Sequence, residues 1–259
     1  MMLRTTCTLI LGLVLVAVPA AAEKPVRLIA NISPPYVDKQ LPERGLTIEL
    51  LNHIFTRAGY APEIVIDSWP RALEGVELGL FDALASAWYT EERGRNFLFS
   101  EPYLDSSLVL VKSRDDQGDY FELEHLAGKR LGVRVDYAYG VDFDAVPNLT
   151  LVEENHLIQN LLNLVNGKVD FVIGDQRTLA LQIQTYLSGQ SQKFVVLPIE
   201  LPNRQRHVAA SRAIEGEQKM VDAFNKALAA TRADGSYAEI IRKWDARYGL
   251  DELLAAPGD

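Results

Sequence analysis

The chain has 259 residues, of which 48% are hydrophobic and 24% charged, and its formal net charge is −9 at pH 7. An acidic chain without a basic stripe repels phosphate backbones, which argues against nucleic-acid binding. The length suits one large domain or two lobes of roughly 100–150 residues, and either arrangement can bury a core of ordinary size.

The N-terminal segment has the pattern of a secretory signal peptide. Arg4 is followed by an apolar run at residues 9–18, then by Pro19 and three alanines that end at Ala22. We therefore expect cleavage after Ala22 and export to the periplasm. Cys7 is the single cysteine and precedes the apolar run, which is the wrong order for a lipid anchor. Because the run is too short to span a bilayer comfortably, we expect the exported product to be free in solution.

Short apolar runs alternate with helical patterns in the first half of the remaining chain, which is typical of βα units and a largely parallel sheet. Ile48, Leu51, Ile54 and Phe55 share one helical face, and Gly59 follows where a C-terminal glycine is expected. We predict strands at residues 26–32, 63–66 and 81–87, helices at 46–58 and 70–77, and extended segments at 98–99 and 108–112.

The acidic, glycine-containing stretch 113–120 is predicted to be a loop at a lobe boundary. A second series of strands and helices follows it, and the polar segment 202–206 leads into the last strand. We predict strands at residues 130–135, 149–152, 171–173, 194–197 and 207–211, and helices near 139–144 and at 156–165, 177–187, 216–232 and 237–248. The tail after Gly249 is expected to fray.

Three groups of motifs, in this order across nearly the whole exported chain, carry a family resemblance. They are FDAL at 81–84 with TEER at 90–93 and FSEPY at 99–103; LAGKRLGV at 126–133 with GKVD at 167–170 and GD at 174–175; and FNKAL at 224–228 with RADGSY at 232–237 and KW at 243–244. Together they resemble the family 3 extracellular solute-binding proteins, periplasmic receptors that supply polar amino acids to ABC importers.

The resemblance implies an α/β, two-lobed periplasmic-binding-protein fold of type II, with a ligand cleft between the lobes and two crossover strands near Leu108 and His207. Lobe 1 would comprise residues 23–107 and 207–259, and lobe 2 residues 108–206. The implied function is capture of an amino acid or related zwitterion by a monomer that needs no cofactor, with a permease of the inner membrane as partner. An enzymatic activity is not expected.

Two charged residues match family positions that hold the ends of an amino acid. Arg93 stands where a guanidinium takes the ligand carboxylate, a role that suits its planar fork of donors. The alternative is a solvated arginine paired with Glu91 or Glu92. Asp175 stands where a carboxylate takes the ligand ammonium group. Its alternative is a helix N-cap, since aspartate directly before a helix is a common cap, and the two roles need not exclude each other.

Four further residues match positions around the ligand. Tyr36 leaves the first strand, and Trp69 enters the second helix, where relatives offer aromatic walls; both would otherwise be partial core. Ser86 matches a strand-end hydrogen-bonding position, although serine is common at strand ends for local reasons. The chain is about one residue shorter than the family pattern before Arg93, so Trp88 would either close the pocket or cover its rim.

The stretch after the strand at 130–135 departs from the family. Relatives have Gly-Thr-Thr there to help hold the carboxylate, whereas this chain has Asp136 and Tyr137. Asp136 would repel an anion unless it faces away, and we expect Tyr137 to contact the ligand. Arg71 and Arg134 would add positive charge and favour an acidic ligand, or would be solvated surface residues.

Motifs for other chemistry are lacking, and two other functions stay open. The four histidines have no metal-ligand spacing, and no Walker A loop or G-x-S-x-G elbow occurs, so we predict no metal site. One alternative is an enzyme resembling cyclohexadienyl dehydratases, with Glu49, Asp136 and Asp175 as cleft acids. The other is a sensory module that hands its closed form to a signalling partner.

Overall fold

The computed structural model describes residues 24–212 and 214–248. The predicted signal peptide, Cys7 and the tail from residue 249 lie outside these residues. The described strands are β1 (Lys24–Asn31), β2 (Tyr60–Asp67), β3 (Ala83–Trp88), β4 (Phe97–Phe99), β5 (Leu104–Ser106), β6 (Leu108–Ser113), β7 (Arg130–Arg134), β8 (Thr150–Glu154), β9 (Phe171–Asp175), β10 (Phe194–Val196) and β11 (Arg204–Ser211). The α-helices are α1 (Leu46–Arg57), α2 (Trp69–Glu77), α3 (Glu91–Asn96), α4 (Leu157–Val165), α5 (Gln176–Tyr186), α6 (Glu217–Ala233) and α7 (Ser236–Tyr248).

Lobe 1 is built on a sheet of order β2-β1-β3-β11-β4, with β5 paired to β11. β1 runs parallel to β2 and β3, whereas β11 is antiparallel to β3. Helix α1 buries the predicted apolar face around Ile48 and Ile54 in the lobe 1 core. Because parallel strands end at the same edge of a sheet, β1 and β3 bring Asn31 and Trp88 to one edge, where open α/β sheets bind ligands.

Lobe 2 is built on a sheet of order β10-β6-β9-β7-β8. Residues of β9 alternate between two cores, with Val172 facing α4 and α5, and Phe171 and Ile173 facing a cluster that includes Tyr120 and Tyr139. Both faces of the strand are therefore buried, which is why it reads as a continuous apolar run.

Two segments join the lobes. The chain leaves lobe 1 after β5 and enters lobe 2 at Leu108, and it returns between β10 and β11. A two-lobed body with such connections can open and close by hinge motion. Across residues 24–212 and 214–248, no helix is long and apolar enough to cross a membrane.

The predicted helix near residues 139–144 is wrong, because the segment is a loop. The Tyr139 ring is buried in lobe 2, and its hydroxyl accepts a hydrogen bond from the Arg134 N–H at 2.9 Å. Gly140 then adopts φ 73°, a left-handed conformation that ends any helical path. The packing of one aromatic ring therefore overrides the local pattern. Helix α3 and strand β5 were not predicted, since six and three residues are too few to show a period.

Glu217, at the start of α6, should make stability depend on pH. The residue is 8% exposed and its Oε2 has no hydrogen-bond partner within the described part of the chain. Burial, reinforced by Asp82, raises the pKa of Glu217 from 4.5 to about 7. The pKa of Glu217 is higher in the folded protein than in the unfolded chain. The protonated carboxyl therefore contributes its full share of stability below pH 4.5, and this contribution is lost as the pH rises through about 7.

At pH 8, Glu217→Gln should therefore raise the free energy of unfolding by about 1–3 kcal/mol, and with it the Tm by several degrees. Near pH 4 the substitution should have little effect. Thermal unfolding at both values checks this, with Glu215→Gln at a neighbouring exposed position as the matched control. An equal gain at both pH values would contradict the assignment.

Candidate functional site

A small cavity of about 30 Å³ lies between the lobes. Its lobe 1 walls come from the ends of β1 and β3, from α2, α3 and β11, and its lobe 2 wall comes from the loop after β7. The lining residues are Asn31, Trp69, Ser86, Trp88, Arg93, Asp136, Tyr137, Ala138 and Arg206. A space of this size holds about two water molecules, so a ligand larger than that requires the lobes to move apart or the aromatic side chains to move.

Arg93 lies at this cavity and forms no ion pair with any carboxylate of the described residues. Its backbone N–H bonds the Thr90 hydroxyl that caps α3. Its guanidinium rests on the Trp69 ring, with Cζ 4.6 Å from the ring centroid, and donates to the backbone carbonyls of Trp88 at 3.0 Å and Asp136 at 3.4 Å. Burial, and next the nearby Arg204, lower the pKa of Arg93. The half-buried cation is therefore positioned by neutral groups, which leaves its charge available to an anion.

Tyr36 and Asp175 meet across the cleft. The Tyr36 hydroxyl lies 2.9 Å from both carboxylate oxygens of Asp175, and Asp175 also accepts from the Thr178 N–H at 3.0 Å as the N-cap of α5. Burial, and next the charge of Asp175, raise the pKa of Tyr36. Asp175 does not line the cavity. A ligand ammonium group would have to displace the Tyr36 hydroxyl to reach it, and that contact stays a prediction.

Trp88 spans the gap between the lobes. It is carried by β3 of lobe 1, yet its ring belongs to the apolar cluster of lobe 2 and packs edge-on against Tyr137 with 4.8 Å between centroids. Its Nε1 is buried and finds no acceptor among the described residues. The ring therefore fills space that a ligand would use, and it offers one unused donor there.

The other sequence candidates divide into two groups. Trp69, Ser86 and Tyr137 line the cavity. Arg71 lies outside it, with its side chain 74% exposed and paired with Asp67 at 3.5 Å. Arg134 also lies outside the cavity, in a neighbouring groove, where it stacks on Tyr137 with Cζ 4.3 Å from the ring centroid.

That groove, of about 690 Å³, leads outward from the cavity and shares Trp69, Arg93, Asp136 and Tyr137 with it. Its rim carries exposed carboxylates from both lobes: Glu74, Glu77, Glu92 and Glu153. Because these groups face solvent, their field is screened, and the buried groups of the cavity dominate the charge that a bound ligand meets.

The acids proposed for a dehydratase do not come together. Glu49 accepts hydrogen bonds from Lys243 at 2.5 Å and from the Trp244 indole at 2.6 Å, and Asp175 is a buried helix cap. Of the three acids, only Asp136 lines the cavity. Within the described ranges, no group of three or more His, Cys, Asp or Glu side chains could hold a metal ion.

Sequence reasoning missed Arg206. It was assigned to a polar segment before the last strand, but β11 begins at Arg204 and carries Arg206 into the interior. The alternation of side chains along a strand could have revealed it, because Arg206 lies two positions before the buried Val208 and so points to the same face of β11.

The comparisons with known proteins agree with this architecture. A family model for bacterial extracellular solute-binding proteins, family 3, matches residues 28–246. The solved structure of an ancestral arginine-binding protein bound to arginine superposes with a TM-score of 0.73 and 20% identity, covering 86% of this chain and 99% of that one. The two-lobed α/β fold is therefore that of the type II periplasmic binding proteins.

The matches to two curated relatives span less than two thirds of those relatives' own length. The virulence sensor protein BvgS of Bordetella pertussis is 25% identical over 86% of this chain, but the match spans only 18% of the sensor. A putative ABC transporter arginine-binding protein 2 of Escherichia coli is 27% identical over 60% of this chain, and the match spans 62% of that protein. The match of the family model over most of the chain shows that the chain belongs to the family 3 extracellular solute-binding proteins.

Proposed function

We propose that this family 3 chain is a solute-binding protein that captures a small carboxylate-bearing ligand, an amino acid or related zwitterion, between its lobes. The observation that supports this is the placement of Arg93. Its guanidinium is half-buried between the lobes and rests on Trp69, and among the described residues it donates only to the backbone carbonyls of Trp88 and Asp136. A carboxylate that bound there would be desolvated on closure and would gain charge-assisted hydrogen bonds. The arginine-binding relatives support the amino-acid class.

We further propose that residues 1–22 are removed on export and that the chain works as a monomer in the periplasm. There it would deliver its ligand to the permease of an ABC importer. The signal-like pattern before Glu23 and the extracellular family support this location.

The match to a virulence sensor favours a second candidate function, ligand sensing. In this function the closed form would contact a signalling partner instead of a permease. Uptake of the labelled ligand by cells separates the two functions, because deletion of the gene abolishes uptake if the chain serves transport and leaves it unchanged if it serves sensing.

A thermal-unfolding screen tests the proposal. For a ligand that binds only the folded state, a 100-fold excess over Kd adds about 2.7 kcal/mol, and a chain of this size shifts its Tm by roughly 2–4 °C per kcal/mol. At least one compound should therefore raise the Tm by about 5–11 °C in a panel of the twenty amino acids, their amides, polyamines and dicarboxylates. A flat response to all of them would contradict ligand capture, and aromatic product from added prephenate would favour the enzyme alternative.

A further inference from the structure

Arg206 is a buried cation whose hydrogen bonds are incomplete. The residue is 4% exposed, and its guanidinium lies on the Tyr36 ring with Cζ 3.6 Å from the centroid. Nη1 donates to the Ser86 hydroxyl at 3.0 Å, whereas Nε and Nη2 have no partner among the described residues. A buried donor of a charged group that stays unpaired is costly, so an acceptor placed against these two donors would be favoured.

The two free donors share one edge of the guanidinium, the edge that a carboxylate binds with two parallel hydrogen bonds. The chain shows that geometry elsewhere. In lobe 2, Arg130 donates from Nε and Nη2 to the two oxygens of Asp170, at 3.1 and 2.8 Å. Arg206 has the same edge without the carboxylate.

No acidic side chain within residues 24–212 and 214–248 supplies the missing acceptor. Asp175, the acid whose charge acts on Arg206, makes no ion pair with it within 4.0 Å, and its oxygens already accept from Tyr36 and Thr178. Asp136 is exposed, and it directs its backbone carbonyl to Arg93. The cavity wall therefore holds two guanidinium groups and one carboxylate, and the balance favours an anion.

We propose that Arg206 is a second anion-binding residue of the cleft and that the ligand is a small dicarboxylate, with one acidic group at Arg93 and the other at Arg206. This inference rests on the proposed capture of a carboxylate at Arg93. Two sources share the chemistry: amino acids with an acidic side chain, and dicarboxylic acids without an ammonium group. The cavity of about 30 Å³ has little spare space, which favours a short ligand.

Calorimetric titration with matched acid and amide pairs tests the inference on the wild-type protein. The pairs are L-glutamate with L-glutamine, and succinate with succinamate. In at least one pair the diacid should bind tenfold or more tightly than its amide. Tighter binding of glutamate than succinate identifies the amino acid as the source, and equal or tighter binding of succinate identifies the simple diacid.

Variants then assign the preference to Arg206. Arg206→Gln should reduce the diacid preference to within about threefold, and Arg206→Lys should restore part of it by keeping the charge without the fork. Arg212→Gln, at an exposed position after β11, removes the same charge away from the cavity and should keep the full preference. If the Arg206→Gln protein does not fold, Arg206→Lys and the wild-type acid and amide pairs still test the dicarboxylate assignment.

Three other outcomes would contradict either this inference or the proposed function. Amides that bind as well as their acids, with affinity that still depends on Arg93, would overturn the inference and leave the proposed function intact. An Arg206→Gln protein that keeps the full preference would also overturn it. Failure of every carboxylate to bind would count against the proposed function itself.

Discussion

Replacing Asp175 with alanine is expected to lower the free energy of unfolding by about 2–4 kcal/mol, because hydrogen bonds to a buried charged group contribute about 1.5–3 kcal/mol and a helix N-cap about 1 kcal/mol. The carboxylate is 3% exposed and accepts hydrogen bonds from Tyr36 and Thr178. Burial lowers the pKa of Arg206, but Tyr36 and Asp175, followed by Tyr137 and Tyr103, offset this, and the pKa is raised. Without Asp175 the buried cation loses part of this compensation, the Tyr36 hydroxyl loses its acceptor, and α5 loses its N-cap.

Denaturant unfolding measures this effect, and two variants sharpen it. Asp175→Asn keeps a capping oxygen but loses the charge, so its stability should lie between those of the wild type and the alanine variant. Asp222→Ala, at an exposed position on α6, should stay within about 0.5 kcal/mol of the wild type. An Asp175→Ala protein of normal stability that has lost its ligand would contradict this account and support the ammonium contact suggested by the family resemblance.

Helices and strands with a periodic pattern of apolar residues could be predicted from the sequence. Very short elements, and segments whose path depends on contacts distant in sequence, could not. The apolar face of α1 and the continuous apolar run of β9 carry their own periodicity. The segment at 139–144 has the same kind of local pattern, but the burial of Tyr139 and the left-handed Gly140 determine its path. Tertiary packing determines the backbone conformation of such segments, and the local sequence pattern does not reveal that packing.

The candidate site shows the same division. Arg93 belongs to the TEER motif at 90–93, and the family resemblance of that motif predicted its position at the cleft. The contact between Tyr36 and Asp175 joins residues 139 positions apart, and Arg206 reaches the cavity only because β11 lies beside β3. Sheet order, which the sequence pattern does not encode, therefore brings together the groups that define the charge of the cavity.

Arg93→Ala is expected to weaken ligand binding by roughly 30-fold to several thousand-fold. Removal of one partner from a desolvated, hydrogen-bonded charge pair costs about 2–5 kcal/mol, and each 1.4 kcal/mol is tenfold in Kd. The fold should persist, because within the part of the chain that the structure describes the guanidinium bonds only two backbone carbonyls and rests on a half-buried ring. Arg95→Ala, at an exposed position on the same helix, is the matched control.

Calorimetric titration of wild type, Arg93→Ala and Arg95→Ala with the compound that gives the largest shift in the thermal screen tests the central claim most directly. Binding of a carboxylate between the lobes predicts that wild type and Arg95→Ala bind alike and that Arg93→Ala loses at least 30-fold in affinity. Near-wild-type affinity in a folded Arg93→Ala protein would contradict the carboxylate site on which the proposed function depends.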